Sequence, residues 1–303
     1  MKNPEPIRRT AEIEEITNRN FIHPMASRLV PLFARMRITP NAVSISGMLL
    51  GILAGFAYYR YQDLRFAITG FILMIAWHVM DGADGQLARL THSQSYFGKV
   101  LDGICDNVTF LAVYTSLAIA LSRRLGDWVY ALVVAAGVCH AVQSATYEVQ
   151  RQEYDFWGWE RKSAESSQPD GVASHDAHAP IVRRLFDFLH QLFYGRLSFP
   201  AAYVTRQFRM TMTAALERQP ERAALVRQRY REAFAPLVRR WSLLSANYRS
   251  LGIFIGALLK APEYYFWFEI VGFSTILGLL IYMQSVRSRT FFDTLDTANV
   301  TSP

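Results

Sequence analysis

"DGADGQLARLTHSQSYFGKVLDGICD", Asp81 to Asp106, is the stretch whose reading decides the fold. It begins at the end of one apolar run and finishes inside the start of another. Its four aspartates, Asp81, Asp84, Asp102 and Asp106, stand where charge is costly for a chain that enters a bilayer. If the first run continues as a helix to about Arg89, Asp81 and Asp84 at i and i+3 share one face. If the next helix starts near Phe97, Asp102 and Asp106 at i and i+4 share another. A short loop between antiparallel helices then brings the two faces together. Four carboxylates in one pocket repel unless some stay protonated or cations join them. Carboxylate oxygens suit Mg²⁺, Mn²⁺ and Ca²⁺, and two such ions roughly 4 Å apart can clamp a phosphate. Metal with phosphate is the expected chemistry. Gly85 and Gly98 let a ligand approach the backbone, Arg89 offers a planar fork of donors, and Ala88 keeps the wall low.

Outward from this stretch, the chain of 303 residues is 51% hydrophobic and only 19% charged. Apolar runs near 41–60, 66–80, 107–122, 128–146, 242–261 and 264–286 are each read as a helix able to span about 30 Å of hydrocarbon. The expected fold is therefore an all-α integral membrane protein with six transmembrane helices. Its expected parts are an arm (1–39), spans one to four carrying the motif (40–150), a basic insert (151–240), spans five and six (241–287) and a tail (288–303). The polar, charged N-terminus shows no cleavable signal peptide. Cys105 and Cys139 lie in apolar surroundings and read as buried thiols, with no spacing that suggests a disulfide or metal.

The net charge is +7, and its placement matters more than its size. Arginines crowd the N-terminal arm, the insert and the tail, and Arg89 and Lys99 flank the loop after the second span. By the positive-inside rule both termini, the aspartates and the insert face the cytoplasm, although Arg123 and Arg124 stand against the pattern. An inner or plasma membrane location follows. Anionic lipid headgroups, not nucleic acid, are the nearer partner for such basic segments.

In "HPMASRLVPLFARMRITPN", Met25, Leu29, Leu32, Phe33 and Met36 fall at helical spacing among Arg28, Arg35 and Arg37, which predicts a helix in the interface plane. Pro40 opens the first span. In the insert, "SAESSQPDGVASHDAHAP" reads as a flexible linker, and its His175–His178 as solvated histidines. Ile181, Leu185, Phe188, Leu189 and Leu192 form an amphipathic stripe. "LERQPERAALVRQRYREAF" is a second helical segment. Between Arg183 and Arg240 twelve arginines face four acidic residues. A solvated hairpin and a surface docked on anionic lipid both fit that surplus. Arg249, inside the fifth span, needs a partner or a watery cavity. With Arg151 it is a candidate for binding an acceptor phosphate, the alternative being a structural pairing. Glu269 in the sixth span reads as structurally paired. His78, one turn before Asp81, reads as a hydrogen-bonded core histidine or a support for the aspartates.

The Asp81–Asp106 stretch resembles the signature of the CDP-alcohol phosphotransferase family, D-x-x-D-G-x-x-A-R-x8-G-x-x-x-D-x-x-x-D. All eight fixed positions are filled: Asp81, Asp84, Gly85, Ala88, Arg89, Gly98, Asp102 and Asp106. "TPNAVSISG" resembles the same family's start of the first span. The resemblance covers the six-span core and stops at the insert. It implies a homodimeric six-helix enzyme of phospholipid biosynthesis with its site open to the cytoplasm. Asp81, Asp84 and Asp102 would bind paired Mg²⁺ or Mn²⁺, with Ca²⁺ a candidate inhibitor. Asp106 would lie by the second metal and act as general base. Gly85, Ala88, Arg89 and Gly98 would line the CDP pocket together with Asp84, and Asn41 and Ser44 are candidate contributors from the first helix. The reaction implied is transfer from a CDP-linked donor to a hydroxyl with release of CMP. CDP-diacylglycerol with a polar alcohol acceptor is the preferred pairing, and a small CDP-alcohol with a lipid hydroxyl the alternative. Two readings from other classes are an intramembrane prenyltransferase, whose aspartate motifs have a different spacing, and an ion or proton transporter, whose charges would be spread through the bilayer.

Overall fold

The computed structural model describes residues 10, 12–161, 196–218 and 220–300, with the side chains of Tyr96 and of 296–300 left aside. The first nine residues of the arm, the polar linker with His175–His178 and the predicted Ile181–Leu192 stripe lie outside the described residues. Every regular element among the described residues is helical. The chain divides into two compact units. One takes the chain up to His140 together with Ala246–Gly272, and the other takes Ala141–Ser245 and the chain from Phe273 onward.

In the first unit, α1 (His23–Arg35), α2 (Pro40–Tyr59), α3 (Leu64–Leu90) and α4 (Tyr96–Leu125) follow one another. Each of the last three has a side-chain cap. The Thr39 side chain accepts from Ala42 N, Asp63 from Arg65 N and Ser95 from Gly98 N. These bonds satisfy N–H groups that a helix start leaves without intrahelical partners. At 1.5 Å per residue α3 and α4 are about 40 and 45 Å long, which exceeds the roughly 30 Å of a hydrocarbon core. Their surplus turns carry the aspartate motif.

Helix α2 packs against both α3 and α4, which meet each other mainly through it. The stripe Gly47, Gly51 and Gly55 is the reason. A Cβ at Gly47 would stand 3.1 Å from Met80 Cβ on α3. At Gly51 it would stand 2.3 Å from Thr109 Cγ2, and at Gly55 2.9 Å from the Ala112 carbonyl, both on α4. Small residues at i and i+4 bring membrane helices close enough for backbone contact. Helix α1 and the turn before it pack on α3 through Ile22, Ala26 and Val30 against Val79, Ala83 and Leu87. The predicted stripe of α1 therefore splits: Leu29 and Phe33 join this cluster, while Met25, Leu32 and Met36 stay exposed.

Among the described residues, five helices are long and apolar enough to cross a membrane: Pro40–Tyr59, Leu64–Leu90, Phe97–Leu125, Trp128–Trp159 and Glu263–Leu295. The predicted fifth span over 242–261 differs. A 3-10 turn at Ser242–Leu244 precedes a helix of only 13 residues, α8 (Ala246–Leu258). Helix α9 (Glu263–Trp267) then runs through a wider π turn (Phe268–Gly272) into α10 (Phe273–Val300), so the expected tail is helical as far as Val300.

In the second unit, α5 (Trp128–Trp159), whose later part belongs here, continues well past its predicted end near 146. The insert supplies α6 (Phe199–Arg218) and α7 (Ala223–Trp241). The predicted basic segment is broken between them at Pro220, which starts a short turn at Pro220–Arg222. Aromatic side chains form the core. The Phe234 ring lies 4.6 Å from Tyr230, 5.4 Å from Phe208 and 5.6 Å from Phe291. Arg227 and Arg231 donate to the carbonyls of Trp157 and Gly158, each at 2.8 Å, at the end of α5. Cations there complement the orphan carbonyls and the negative end of the helix dipole. Arg209 pairs with Glu153 at 2.5 Å and Arg227 with Glu160 at 2.8 Å. Part of the arginine surplus read from the insert alone is thus neutralised by acids on α5 and directly after it.

Gly55→Ala is expected to lower stability by about 1–3 kcal/mol, because the new methyl meets backbone that must shift. Gly278→Ala on α10, where a Cβ meets nothing within 4 Å, is expected to be neutral or stabilising by up to about 1 kcal/mol. Thermal unfolding of the two purified variants checks the order; equal stability would contradict the close packing of α2.

Candidate active site

Asp81 and Asp84 sit in the last turns of α3, and Asp102 and Asp106 in the first turns of α4. The loop between these helices is five residues, Thr91–Ser95. His92 takes the left-handed conformation at φ 52°, and Ser93 N donates to Ala88 O at 3.0 Å, which closes the end of α3. The chain reverses within this turn.

Carboxylate oxygens of Asp81, Asp102 and Asp106 all lie within 4.8 Å of one another. Asp84 is buried beside them, and its Oδ2 accepts from Ser44 Oγ of α2 at 2.6 Å. Asp84 also meets the Asp102 side chain. Two ionised carboxylates about 4 Å apart repel by roughly 4 kcal/mol at an effective dielectric of ~20. Half-buried acids gathered from two helices and held at such a distance fit a divalent cation, for which oxygen is the preferred donor.

The residues around the acids line up with the same place. A Cβ on Gly85 would lie 3.4 Å from Arg89 Nη1, an ordinary contact distance, so the guanidinium lies alongside this glycine. A Cβ on Gly98 would lie 3.3 Å from Asn41 Oδ1. Asn41 and Ser44, both on α2, therefore face α4 and α3 respectively. Ala88 is half-buried one residue before Arg89. Cys105 is buried, Cys139 is half-buried, and neither forms a disulfide.

Other polar residues read from the sequence are placed as follows. His78 Nε2 is 2.9 Å from Ser250 Oγ in the core, a hydrogen-bonded core histidine. The partner of Glu269 is Arg249. Both side chains are 0% exposed, and Arg249 Nε donates to Glu269 Oε1 at 3.1 Å. Tyr265 donates its hydroxyl to Glu269 Oε2 at 2.7 Å, and the Tyr114 hydroxyl stands 2.8 Å from that of Tyr265. Glu269 lies within the π turn of the last long helix, where a widened backbone often marks a side chain with a special role. Tyr114 and Tyr265 carry no helical periodicity that separates them from ordinary core residues, so the sequence does not disclose this network. In the second unit, Arg151 pairs with Glu148 at 2.5 Å and reaches Asp155 at 3.8 Å.

With the geometry in place, residues 37–166 match the family model for CDP-alcohol phosphatidyltransferase. The match ends at 166, so it takes in α2–α5 and not the later helices of the expected six-span core. Among curated proteins, an archaetidylinositol phosphate synthase of Pyrococcus horikoshii is 32% identical over 92 residues, which are 30% of this chain and 47% of that protein. A CDP-diacylglycerol–serine O-phosphatidyltransferase of Mycobacterium bovis is 28% identical over 123 residues, 39% of this chain and 40% of that protein. Another enzyme of that name, from Helicobacter pylori, is 31% identical over 121 residues, 38% of this chain and 48% of that protein. The chain spans less than half the length of each of these relatives.

Glu269→Gln leaves Arg249 buried without its counter-charge and is expected to cost about 3–5 kcal/mol. The double variant Arg249→Met with Glu269→Leu is expected to recover most of that loss, as replacement of a buried pair by apolar groups often does. Thermal unfolding of both variants checks this; a single variant as stable as wild type would refute the pairing.

Proposed function

We propose, from the match of residues 37–166 to the CDP-alcohol phosphatidyltransferase model, a phospholipid-synthesis enzyme that moves a phosphatidyl group from CDP-diacylglycerol to a polar alcohol, releasing CMP. The observation that carries this reading is the convergence of Asp81, Asp102 and Asp106 from two helices to within 4.8 Å. The donor is supported by relatives whose names specify CDP-diacylglycerol and serine. A small CDP-alcohol donor with a lipid hydroxyl acceptor is the second pairing to test.

In this proposal Asp81, Asp84, Asp102 and Asp106 hold two divalent ions, Mg²⁺ or Mn²⁺. When bound, such ions neutralise charge on phosphate oxygens and on the leaving nucleotide. The remaining roles belong to the chain. Arg89, folded back along α3 beside Gly85, directs its fork at the diphosphate. Gly98 and Ala88 leave space for the nucleotide, with Asn41 beside Gly98. Ser44 fixes the Asp84 carboxylate. Asp106 accepts the proton of the acceptor hydroxyl as that oxygen bonds to phosphorus and the bond to CMP breaks. Arg151 keeps 18% of its side chain exposed whereas Arg249 keeps none, so the acceptor-phosphate proposal rests on Arg151. The short α8 counted with the five longer helices gives a six-helix domain. A homodimer with its site and termini on the cytoplasmic side, and anionic lipid at the insert, complete the reading.

Loss of a general base lowers rates by about 10²–10⁴-fold. Asp106→Asn is expected to lose CMP release by that factor while still binding the CDP-linked substrate. The assay is CMP release by the purified chain across paired donors and acceptors, with and without a chelator. Near-wild-type turnover by the variant, or indifference to the chelator, would overturn the proposal.

A further inference from the structure

Helix α6 has two apolar sides, and among the described residues only one of them is covered. Ala201, Thr205, Phe208 and Met212 are buried. On the opposite side, at i, i+4, i+7 and i+11, stand Phe199, Tyr203, Arg206 and Met210. Phe199 is 67% exposed, Tyr203 78% and Met210 66%. A helix that is apolar on both sides calls for a second apolar cover. No acidic residue occurs from Phe199 to Leu216, so the only charge within this outward stripe is positive.

Within the second unit, the buried side of α6 is fixed to the far ends of two candidate spans. Gln150 of α5 donates to Thr205 Oγ1 at 2.9 Å, and Phe208 lies 5.2 Å from Phe292 of α10. The apolar run of α5 gives way to charge at Glu148, and that of α10 at Arg287. Gln150 and Phe292 therefore lie about 3–8 Å beyond these points at 1.5 Å per residue. The headgroup layer on each side of a bilayer has a comparable thickness, about 5–8 Å.

We propose that the outward face of α6 seats in the anionic headgroup layer of the membrane, with Phe199, Tyr203 and Met210 as apolar anchors and Arg206 against lipid phosphate. Tyrosine suits the level where one end of a side chain is dry and the other wet, and phenylalanine supplies a wholly apolar anchor. Arginine meets a phosphate with parallel N–H donors. Anionic lipid attracts basic groups that lie within a Debye length of the surface. The basic segment of α7 is the weaker docking surface, because Arg227 and Arg231 are engaged at the end of α5. A second copy seated symmetrically would set Arg206 near its own counterpart, a like-charge contact. The inference refines the lipid partner named above to one helix face. It rests on the placement in a bilayer and not on the reaction.

The test uses the full chain in nanodiscs, with Tyr203→Cys or Met210→Cys carrying a polarity-sensitive fluorophore. Signal from the labelled wild type, which holds Cys105 and Cys139, is subtracted. Lipids with brominated acyl chains are expected to quench either position by about twofold or more when phosphatidylglycerol is present, as for side chains sunk to the acyl boundary. The quench is expected to fall in ~1 M salt, where the Debye length is about 3 Å, and in the Arg206→Gln variant. No quenching at either position would overturn the proposal. So would equal quenching in purely zwitterionic discs, or in the Arg206→Gln protein. Shielding from water that grows with protein concentration and shows no quenching would assign the face to a second copy instead. CMP release is not a readout here, so a failure of this proposal is distinct from a failure of the assigned reaction.

Discussion

Close packing of α2 against α3 and α4 is the constraint on which the aspartate site depends. The acids come from the end of one helix and the start of the next, and both of these helices pack far more extensively on α2 than on each other. Gly47, Gly51 and Gly55 let α2 lie between them with backbone nearly touching backbone. Ser44, one turn before this stripe, then reaches Asp84 at 2.6 Å. Spacing of the carboxylates is therefore set by how closely two helices approach a third. Like charges brought together this way need fixed geometry and a compensating partner, since at an effective dielectric of ~20 their repulsion amounts to several kcal/mol.

A different kind of charge problem is solved deeper in the first unit. Arg249 and Glu269 are fully enclosed, and each supplies the counter-charge the other requires. Two tyrosine hydroxyls take up acceptor capacity of the carboxylate. Enclosed ion pairs of this sort are costly to break and modest in net stabilisation. Their use here is geometric: the pair ties short α8 to the π turn that follows α9, and Tyr114 brings α4 into the same network.

Arginine is used in three ways in this chain. Arg89 lays its guanidinium beside Gly85 at the aspartate-bearing end of α3, and Arg249 is locked in a core. Arg227 and Arg231 close the exposed end of α5, where carbonyls without intrahelical partners meet the negative end of the dipole. The same residue type therefore serves as ligand candidate, core ion pair and helix cap. Only its surroundings distinguish the cases.

Local chemistry was enough to read much of this protein. The i, i+3 and i, i+4 spacing of Asp81, Asp84, Asp102 and Asp106 fixes which faces they share. Long apolar runs mark the helices, and Pro40 marks the start of the first span. These features were legible because each depends on residues within one or two helical turns. Tertiary structure decided the rest. The 242–261 run looked like a span but folds as a turn and a 13-residue helix, because Asn247 and Arg249 find partners on distant segments. The insert looked basic because its counter-charges, Glu153 on α5 and Glu160 just after it, lie outside any local window. Pairings between residues tens or hundreds of positions apart leave no periodic trace in a sequence, and only folding brings them together.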